Sequence, residues 1–398
     1  MTKPNLIIIL NRLVIGGQAV DTIPLAYYLQ QYFNVIILYG EKEADEVEAS
    51  FLLHQYPGLQ LIKINQLRRT INPITDFKAF WIIVKKLKQY KASIVHTHGS
   101  KSGLLGRLAA KYIGVKVIVH TFHGHLFHSY FNSLGTWLLL QTERALAKIT
   151  THIIALSYKQ KNELLQVYKI ADERKIHVVP LGIDEQKFVQ QDLSKRENFR
   201  TKFHLNENDI AVGIIGRIVP IKNHQLFIKI AEKVIANSQY QNIYFFIVGD
   251  GAGMQNLMKD LDKKNITYSP KNNNSRIIFT SWVEDMIWAY YGLDIVMLTS
   301  LNEGTPLSII EAQFCGKPVI AVNVGGVKDT FDSEKSGFLI NDYKEESFIQ
   351  PLYQLADNKS LIQQMAKEAV DFATHNFTKQ KEVEAIKNIY LKQLEKLN

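Results

Sequence analysis

The chain has 398 residues, of which 46% are apolar and 21% carry a charge. This composition excludes a disordered or low-complexity protein, and the length suits two domains rather than one. A single cysteine, Cys315, excludes an intramolecular disulfide framework and favours a reducing compartment such as the cytoplasm. The apolar run at 6–10 is too short for a secretory signal, and no run approaches the ~20 residues of a spanning helix. We therefore expect a protein that is soluble, or peripheral at most.

The net charge of +9 is concentrated in the first part of the chain. Residues 1–180 hold 22 Lys and Arg against 11 Asp and Glu, whereas the remainder holds 25 against 27. A basic half predicts an acidic partner, which could be nucleic acid, anionic lipid headgroups or a phosphorylated acceptor. A Lys-rich surface that only faces solvent explains the same counts.

Short apolar stretches alternate with amphipathic ones, which predicts parallel strands buried on both faces and helices between them. The first series of predicted strands is 6–10, 35–39, 93–98, 116–121, 151–156 and 176–179, and the second is 210–215, 243–248, 276–280, 295–298 and 319–322. Helical patterns include 76–90, 101–113, 224–236 and 306–315. The predicted fold class is α/β, with two facing Rossmann-like domains, each a mostly parallel sheet with helices on both faces.

The strand series restarts near residue 205, after a polar stretch at 184–209 that predicts one or two short bridging helices. We expect a first domain at 1–182, a linker and second domain at 183–377, and a last amphipathic helix at 378–398. Two such domains would form a cleft at the carboxyl ends of their strands, where open α/β sheets bind ligands.

A helix start is predicted after the strand at 295–298. Thr305 is expected as its N-cap and Pro306 as its first residue, because threonine satisfies a free N–H group and proline has none to lose. The backbone N–H groups of Leu307 and Ser308 would then form an anion site at the positive end of the helix.

Two glutamates flank this helix start. Glu303 lies in the loop before it and Glu311 lies within the helix. Because a carboxylate repels phosphate, both are expected to accept hydrogen bonds from sugar hydroxyls. A capped helix with one exposed and one salt-bridged glutamate is the structural alternative.

A cationic cluster opens the second domain. Arg217 follows the strand at 210–215 and the turn residue Gly216, and Lys222 precedes a helix that Asn223 can cap. Arg and Lys fixed at the carboxyl end of a strand can neutralise a diphosphate without a metal ion. Two solvent-exposed loop cations are the plainer alternative.

Two glycine-rich loops each follow a predicted strand. Gly16 and Gly17 follow the first strand, and Gly249 opens a second loop at 249–253. Glycine lets the backbone approach a ligand closely, but such turns end many strands in this fold class. Neither loop has the spacing of a P-loop or of the dinucleotide fingerprint.

Six of the twelve histidines lie between residues 96 and 128, namely His96, His98, His120, His123, His125 and His128. They straddle two strand ends with few nearby carboxylates, so we expect no metal site. His123, at the end of the strand at 116–121, is expected to hydrogen-bond a polar ligand, and the others to pack or to face solvent.

In this order along the chain, these motifs resemble the retaining family-4 glycosyltransferases of the GT-B fold. The resemblance covers nearly the whole chain and is carried by Gly16-Gly17, His98-Gly99, His123-Gly124, 180–184, Gly216-Arg217, Lys222-Asn223, Gly249–Gly251 and the pair Glu303 and Glu311. It implies transfer of a sugar from a nucleotide-diphosphate donor to a glycan or lipid-linked acceptor. The first domain would bind the acceptor and the second the donor, which we expect to be a UDP-sugar such as a UDP-N-acetylhexosamine.

The resemblance also implies roles for individual residues. The catalytic residues would be His123, Arg217, Lys222 and Glu303. The donor-binding residues would be Gly16, Gly17, Gly216, Arg217, Lys222, Gly249, Trp282, Val283, Glu303, Gly304, Thr305, Leu307, Ser308 and Glu311. No metal or other cofactor is implied, because catalysis would proceed by front-face displacement in which the leaving phosphate takes the acceptor proton.

Three other functions can be considered for these sequence features. A glycoside hydrolase also employs two carboxylates but has no use for Arg217 and Lys222. A nucleotide-sugar epimerase shares the GT-B fold but has another carboxylate signature. A non-enzymatic polyanion-binding protein would use the basic first half. Proteins that bind single-stranded nucleic acid place aromatic side chains among basic residues on strands. Here the aromatic residues at 77–81 have helical spacing and are expected in the core, so nucleic acid is not expected as a partner.

The basic first half predicts contact with the inner face of the cytoplasmic membrane. Cations cluster at Lys63, Arg68, Arg69, Lys78, Lys85, Lys86, Lys88 and Lys91. Phe77, Phe80, Trp81 and Ile82 lie among them at helical spacing, which predicts that most of these side chains are core. The attraction would then be mainly electrostatic.

Overall fold

The computed structural model describes residues 3–14, 16–44, 46–123, 133–189, 193–271 and 274–396. The chain divides into two compact units. Unit 1 contains residues 1–183 and 377–398, and unit 2 contains residues 184–376. Within the described ranges, no helix combines the length and the apolar character needed to cross a bilayer.

Unit 1 is built on a seven-stranded parallel sheet. Its strands are β1 (Asn5–Leu10), β2 (Asn34–Gly40), β3 (Gln60–Ile64), β4 (Ile94–His98), β5 (Val117–Phe122), β6 (His152–Ala155) and β7 (Ile176–Val178), in the order β3-β2-β1-β4-β5-β6-β7. Its first helices are α1 (Gly17–Leu29), α2 (Ser50–Gln55), α3 (Pro73–Gln89), α4 (Ser100–Tyr112), α5 (Ser133–Ile149) and α6 (Tyr158–Asn162).

Unit 2 is built on a six-stranded parallel sheet with the order β10-β9-β8-β11-β12-β13. Its strands are β8 (Ile210–Ile215), β9 (Ile243–Val248), β10 (Ile277–Ser281), β11 (Ile295–Leu298), β12 (Val319–Val322) and β13 (Gly337–Ile340). Its helices are α7 (Gln186–Val189), α8 (Leu193–Lys202), α9 (His224–Ala236), α10 (Met254–Lys263), α11 (Met286–Gly292), α12 (Leu307–Phe314), α13 (Glu345–Ala356) and α14 (Lys359–Asn376). The last helix, α15 (Lys379–Glu395), belongs to unit 1.

The predicted α/β class with two parallel sheets is confirmed. All eleven predicted strands are present, and central ones such as β8 are buried at every residue, as expected for strands covered on both faces. Two strands were missed, β3 and β13, and both are sheet edges. In β3, exposed Gln60 and Lys63 interrupt the apolar run, so the strand lacks the continuous Val/Ile/Leu pattern on which the prediction relied.

The order of strands reverses once in each sheet. In unit 1 the reversal lies between β1 and β4, and in unit 2 it lies between β8 and β11. At such a switch point the loops after the two strands run in opposite directions and leave a crevice that binds ligands. The predicted glycine, histidine, Arg217 and Glu303 motifs follow these strands or their neighbours.

Helices α7 and α8 occupy the polar stretch for which one or two short helices were predicted. Both belong to unit 2. On α8, Arg196 binds one carboxylate oxygen of Asp294 at 2.6 Å and Arg200 lies 3.3 Å from the other. Asp294 also accepts a hydrogen bond from the backbone of Ala211, at 2.8 Å. The stretch is therefore fastened to the central strands of its own sheet.

Helix α15 is held to unit 1 by a buried ionic cluster. The Lys379 ammonium lies 2.9 Å from Asp21 Oδ1 and 2.6 Å from Glu382 Oε2, and the three side chains are almost fully buried. Glu382 also accepts a hydrogen bond from the backbone N–H of Gly182 at 2.9 Å. Burial and the adjacent Asp21 carboxylate raise the pKa of Glu382 to about 8. Removal of one partner would leave an unpaired buried charge, so this cluster fixes α15 against α1.

Candidate functional site

The loops after β8 and β9 are locked together by backbone contacts. Gly216 donates its N–H to Val248 O at 3.0 Å, and Ile218 donates to Asp250 O at 2.9 Å. Gly249 has φ +136°, and a Cβ at this position would lie 2.2 Å from Gly216 O. Only glycine therefore allows the two loops to meet. Arg217 is exposed on this fixed loop, and within the described residues its guanidinium has no hydrogen-bonding partner.

The structure brings together two predicted site residues that are 81 positions apart. Lys222 Nζ lies 2.6 Å from Glu303 Oε1, and the Ser300 hydroxyl donates to the same oxygen, also at 2.6 Å. Thr299 Oγ1 donates to Asn223 O at 3.0 Å, which ties the end of β11 to the Lys222 turn. Both charged side chains are largely but not fully shielded from solvent. The pair therefore places an ammonium directly beside a carboxylate at the β8–β11 switch point.

The Glu303–Gly304 segment is held in turn by a glycine that the sequence analysis did not identify. Gly325 has φ +54°, and a Cβ there would lie 1.5 Å from Glu303 O. The next residue, Gly326, donates its N–H to Gly304 O at 2.9 Å. Any side chain at 325 would thus displace the loop that carries Glu303.

Of two predicted helix caps, one is wrong and the other is confirmed in its position but not in its side-chain hydrogen bond. Helix α12 begins at Leu307 with Pro306 in the N-cap position, so Thr305 precedes the cap, and no side chain caps the helix. Asn223 does occupy the N-cap position of α9, but its φ of 51° is left-handed and its side chain makes no capping hydrogen bond. The anion site predicted at Leu307 and Ser308 does not depend on the cap, because the first N–H groups of a helix have no partner within it.

Glu311 lies one turn into α12 and is held by a buried tyrosine. The Tyr290 hydroxyl lies 2.7 Å from Glu311 Oε2 and 3.2 Å from the Ser308 carbonyl oxygen. Burial raises the pKa of Glu311 to about 7, and this rise is opposed by the Tyr290 hydrogen bond and by Lys187. Glu311 can therefore accept a hydrogen bond as a carboxylate or donate one as an acid near neutral pH.

Trp282 and Val283 follow β10 directly. Ser281, the last residue of β10, has φ 57° and accepts a hydrogen bond from the N–H of Gly249 at 3.1 Å. Trp282 is 52% exposed. These two residues therefore lie next to the Gly249 loop, where a flat ligand group could contact them.

In unit 1, Gly16 and Gly17 mark the start of α1. Gly16 is extended, and a Cβ there would contact nothing, so its neighbourhood does not require glycine. Nearby, the Asn11 side chain accepts a hydrogen bond from the N–H of Ser102 at 2.7 Å, which joins the β1 loop to the start of α4.

The histidines at the ends of β4 and β5 are mostly satisfied core residues. His96 lies 2.7 Å from Thr121 Oγ1 and 2.5 Å from the Tyr390 hydroxyl, and burial lowers its pKa to about 3. His120 lies 2.8 Å from Thr97 Oγ1. His123 is partly exposed, and its Nε2 lies 2.7 Å from His98 Nδ1.

No group of three potential metal ligands occurs within the ranges that the structure describes. Gly124, His125 and His128 lie outside these ranges.

Tyr290, Ser300 and Gly325 are the site residues that sequence reasoning missed. Ser300 stands three positions before Glu303, and a serine so close to a loop carboxylate could have signalled the contact. Tyr290 lies on a neighbouring helix and Gly325 follows a different strand, so neither carries a local signal for its role.

Comparison with known proteins decides the family. The model described as Glycosyltransferase Family 4 matches residues 15–187, and the model described as Glycosyl transferases group 1 matches residues 195–372. The chain is 34% identical to the UDP-Gal:alpha-D-GlcNAc-diphosphoundecaprenol alpha-1,3-galactosyltransferase of Escherichia coli, over 82% of each chain. It belongs to the family-4 glycosyltransferases.

Other matches agree with this family-4 glycosyltransferase assignment. The capsular polysaccharide biosynthesis glycosyltransferase CapM of Staphylococcus aureus is 26% identical and matches 86% of this chain and 88% of its own. Among solved structures, Anabaena Alr3699/HepE in complex with UDP superposes with a TM-score of 0.80 at 18% identity, covering 98% of this chain and 100% of that one. A glycosyltransferase from Rickettsia africae gives a TM-score of 0.80 at 24% identity, with 98% and 99% covered. These neighbours confirm the GT-B fold.

The pKa of Glu311 gives a prediction that can be tested without substrate. Because the native pKa is raised from 4.5 to about 7, the stabilisation from neutral Glu311 is complete below pH 4.5 and is lost as the pH rises through 7. Relative to wild type, Glu311→Gln should therefore gain unfolding free energy between pH 5 and pH 8. Urea unfolding at both pH values measures this difference. Glu334→Gln, at an exposed site of the same unit, gives the baseline, and a difference for Glu311→Gln that matches the baseline contradicts the raised pKa.

Proposed function

We propose that this glycosyltransferase moves a hexosyl or N-acetylhexosaminyl group from a UDP-sugar to a hydroxyl of a lipid-linked acceptor, with retention of anomeric configuration. The observation that carries the proposal is the Lys222–Glu303 contact at 2.6 Å. Its support comes from the Escherichia coli relative, whose name describes transfer from UDP-Gal to a lipid-linked GlcNAc. UDP-Gal is therefore the first donor to test, ahead of a UDP-N-acetylhexosamine.

The ion pair suits the junction between phosphate and sugar in such a donor. An ammonium has three donor hydrogens, so Lys222 can bind Glu303 and still donate to a phosphate oxygen. Glu303 uses Oε1 for Lys222 and Ser300, which leaves Oε2 for a sugar hydroxyl. The carboxylate also faces its own cation, so a nearby phosphate meets less repulsion than an isolated glutamate would cause.

The remaining residues would complete the donor site as the family resemblance implies. Arg217 and the N–H groups of Leu307 and Ser308 would bind the diphosphate, with Gly17 contributing backbone. Glu311 would hold the ribose hydroxyls in the orientation set by Tyr290. Trp282 and Val283 would flank the base, and His123 would contact the sugar. The loops around the donor would be formed in part by Gly216, Gly249, Gly304 and Thr305.

In the proposed reaction the bond between the anomeric carbon and the phosphate oxygen breaks as the acceptor oxygen bonds to that carbon on the same face. The acceptor proton passes to a phosphate oxygen, and UDP leaves. Arg217, Lys222 and the α12 N-terminus would stabilise the charge that develops on the diphosphate. Because the protein itself supplies these cationic groups, the mechanism does not require a metal ion.

The direct test is transfer from UDP-Gal, UDP-Glc and UDP-GlcNAc to a lipid-diphosphate-linked GlcNAc, with the product anomer assigned by NMR. We expect an α-linked product from an α-linked donor and full activity in EDTA. A β-linked product overturns retention. Activity that is lost in EDTA and restored by manganese overturns the metal-independent mechanism.

Replacement of Arg217 is the most direct test of the proposed contact with the diphosphate. By analogy with the removal of one preorganised transition-state donor, Arg217→Ala should lower kcat roughly 10²–10³-fold. The thermal midpoint should not change, because the side chain is exposed and lies in a loop. Lys328→Ala, at an exposed position of the same unit, is the matched control. A near-wild-type rate for Arg217→Ala would mean that the diphosphate binds elsewhere.

A lipid-linked acceptor requires that the enzyme reach a membrane surface. The sequence predicted a mainly electrostatic membrane contact with the apolar side chains at 77–82 mostly in the core, and the structure corrects the second part. Phe77 is 64% exposed and Trp81 is 42% exposed, so they are not core residues. With Ile74 on α3 and with Leu108 and Tyr112 on α4 they form what we call the apolar ridge. Phe77 packs edge-on to Trp81, with ring centroids 6.1 Å apart, and Trp81 packs edge-on to Tyr112 at 5.4 Å. Phe80 and Ile82 are half-buried.

Cations surround the apolar ridge. Lys78, Lys85 and Lys88 are exposed on α3 and Lys111 is exposed on α4, and Lys88 lies 5.9 Å from the Tyr112 ring centroid. Exposed aromatic rings among lysines suit the headgroup region of an anionic bilayer, where apolar burial and charge attraction add. We therefore propose that this face of unit 1 contacts the membrane that carries the acceptor.

Vesicle co-sedimentation tests the apolar ridge. Binding to anionic vesicles should weaken but persist in high salt, because salt screens charges and not apolar burial. Phe77→Ser/Trp81→Ser should lose most of the salt-resistant binding, whereas Tyr158→Ser/Val167→Ser, which removes exposed apolar residues elsewhere in unit 1, should bind like wild type. Equal binding by both double variants would show that the ridge does not enter the bilayer. A dimer or a protein complex that depends on the ridge would assign it to a protein partner.

A further inference from the structure

His98, which has no role in the proposed donor site, is a buried histidine at the end of β4. Its Nδ1 lies 2.7 Å from Nε2 of His123, while Thr22 Oγ1 is at 3.5 Å, the outer limit of a hydrogen bond. Its other ring nitrogen, Nε2, is buried and has no hydrogen-bonding partner among the residues that the structure describes. Within the described part of the chain, His98 therefore makes one strong hydrogen bond, and its partner is His123.

Burial lowers the pKa of both histidines and keeps both rings neutral. A neutral imidazole has one N–H group and one nitrogen lone pair, so in the shared contact one ring must donate and the other must accept. If His123 donated from Nε2, His98 would accept at Nδ1 and carry its own proton on Nε2. That would place an N–H group in a buried position where the described residues offer it no acceptor. Buried orphan N–H groups are rarer than unsatisfied acceptors. The alternative, in which His98 donates from Nδ1, leaves only a lone pair unsatisfied.

We infer that His98 is a positioning residue that fixes His123 as the Nδ1–H tautomer. This inference rests on the proposed contact of His123 with the donor sugar. With its Nε2 lone pair engaged by His98, His123 offers the N–H of Nδ1 to the ligand. It would then bind a sugar oxygen as a hydrogen-bond donor and not as an acceptor.

Among the residues that the structure describes, His98 is the one that can set this tautomer. His96 stacks on His98, with ring centroids 4.1 Å apart, but both nitrogens of His96 are engaged by Thr121 and the Tyr390 hydroxyl. Asp21 and Lys379 act on the charge of His123 in opposite directions, and no hydrogen bond joins either of them to its ring in the described residues. The tautomer of His123 therefore depends on the 2.7 Å contact.

Nitrogen-15 NMR of the imidazole rings tests the tautomer in the wild-type chain, with the His123 signals assigned from the spectrum of His123→Gln. We expect His123 to show a protonated Nδ1 and an unprotonated Nε2 at neutral pH, and His98 to show the same pattern. A protonated Nε2 on His123 overturns the inference. This measurement needs no substrate, so it stands even if His123 does not contact sugar.

Variants of His98 test the consequence for sugar binding. In His98→Asn the amide nitrogen can replace Nδ1 as a donor, whereas His98→Leu fills similar space without one. We expect His98→Leu to lower kcat/KM for the UDP-sugar roughly tenfold, as loss of one hydrogen bond would, with UDP affinity unchanged and with His98→Asn near wild type.

Three outcomes would overturn either the inference about His98 or the sugar contact of His123 on which it rests. Equal losses in His98→Asn and His98→Leu would mean that His98 acts by packing alone. A loss of UDP affinity in His98→Leu would mean that it does not act through the sugar contact. Full activity of His123→Ala would refute the proposed sugar contact, while the tautomer measured by NMR would still report on His98.

Discussion

In unit 2, parallel strands that are buried on both faces leave their ends for charged side chains, and this constraint organises the candidate site. In β8 every residue from Ile210 to Ile215 is buried, and the first exposed charge is Arg217. In β11 four buried apolar residues are followed at once by Thr299 and Ser300. Because the strands are parallel, these ends lie at one edge of the sheet. Groups that are distant in sequence are thus brought together by the apolar pattern alone.

The electrostatics of unit 2 are organised within that edge. Lys222 and Glu303 form an ion pair that is partly shielded from solvent, while Arg217 is exposed. Glu311 is different, because burial favours its neutral form and only Tyr290 and Lys187 oppose this effect. Two glutamates eight positions apart therefore have unlike environments. Glu303 is paired with a lysine, whereas the burial of Glu311 makes its charge dependent on pH near neutrality.

Sequence reasoning recovered most of the fold because the central strands are continuous apolar runs. It missed β3 and β13, since an edge strand has one free side and tolerates residues such as Lys63. It located Arg217, Lys222, Glu303 and Glu311 at strand ends and helix starts, but it could not pair Lys222 with Glu303, because contact across 81 residues is a tertiary property. Helical periodicity likewise identified the face of α3 that carries Phe77 and Trp81. It predicted that most apolar side chains of this segment are core, whereas Phe77 and Trp81 are exposed.

The return of α15 to unit 1 bears on how the protein is made. Unit 2 is one continuous segment, 184–376, whereas unit 1 needs residues 377–398 to become complete. Lys379 and Tyr390 contact Asp21, Glu382 and His96 in the interior of unit 1, and both are synthesised after the whole of unit 2. Domains generally fold in order from the amino terminus as they leave the ribosome. Here the second unit has its full sequence first, and the first unit becomes complete only once the segment after residue 376 has been synthesised.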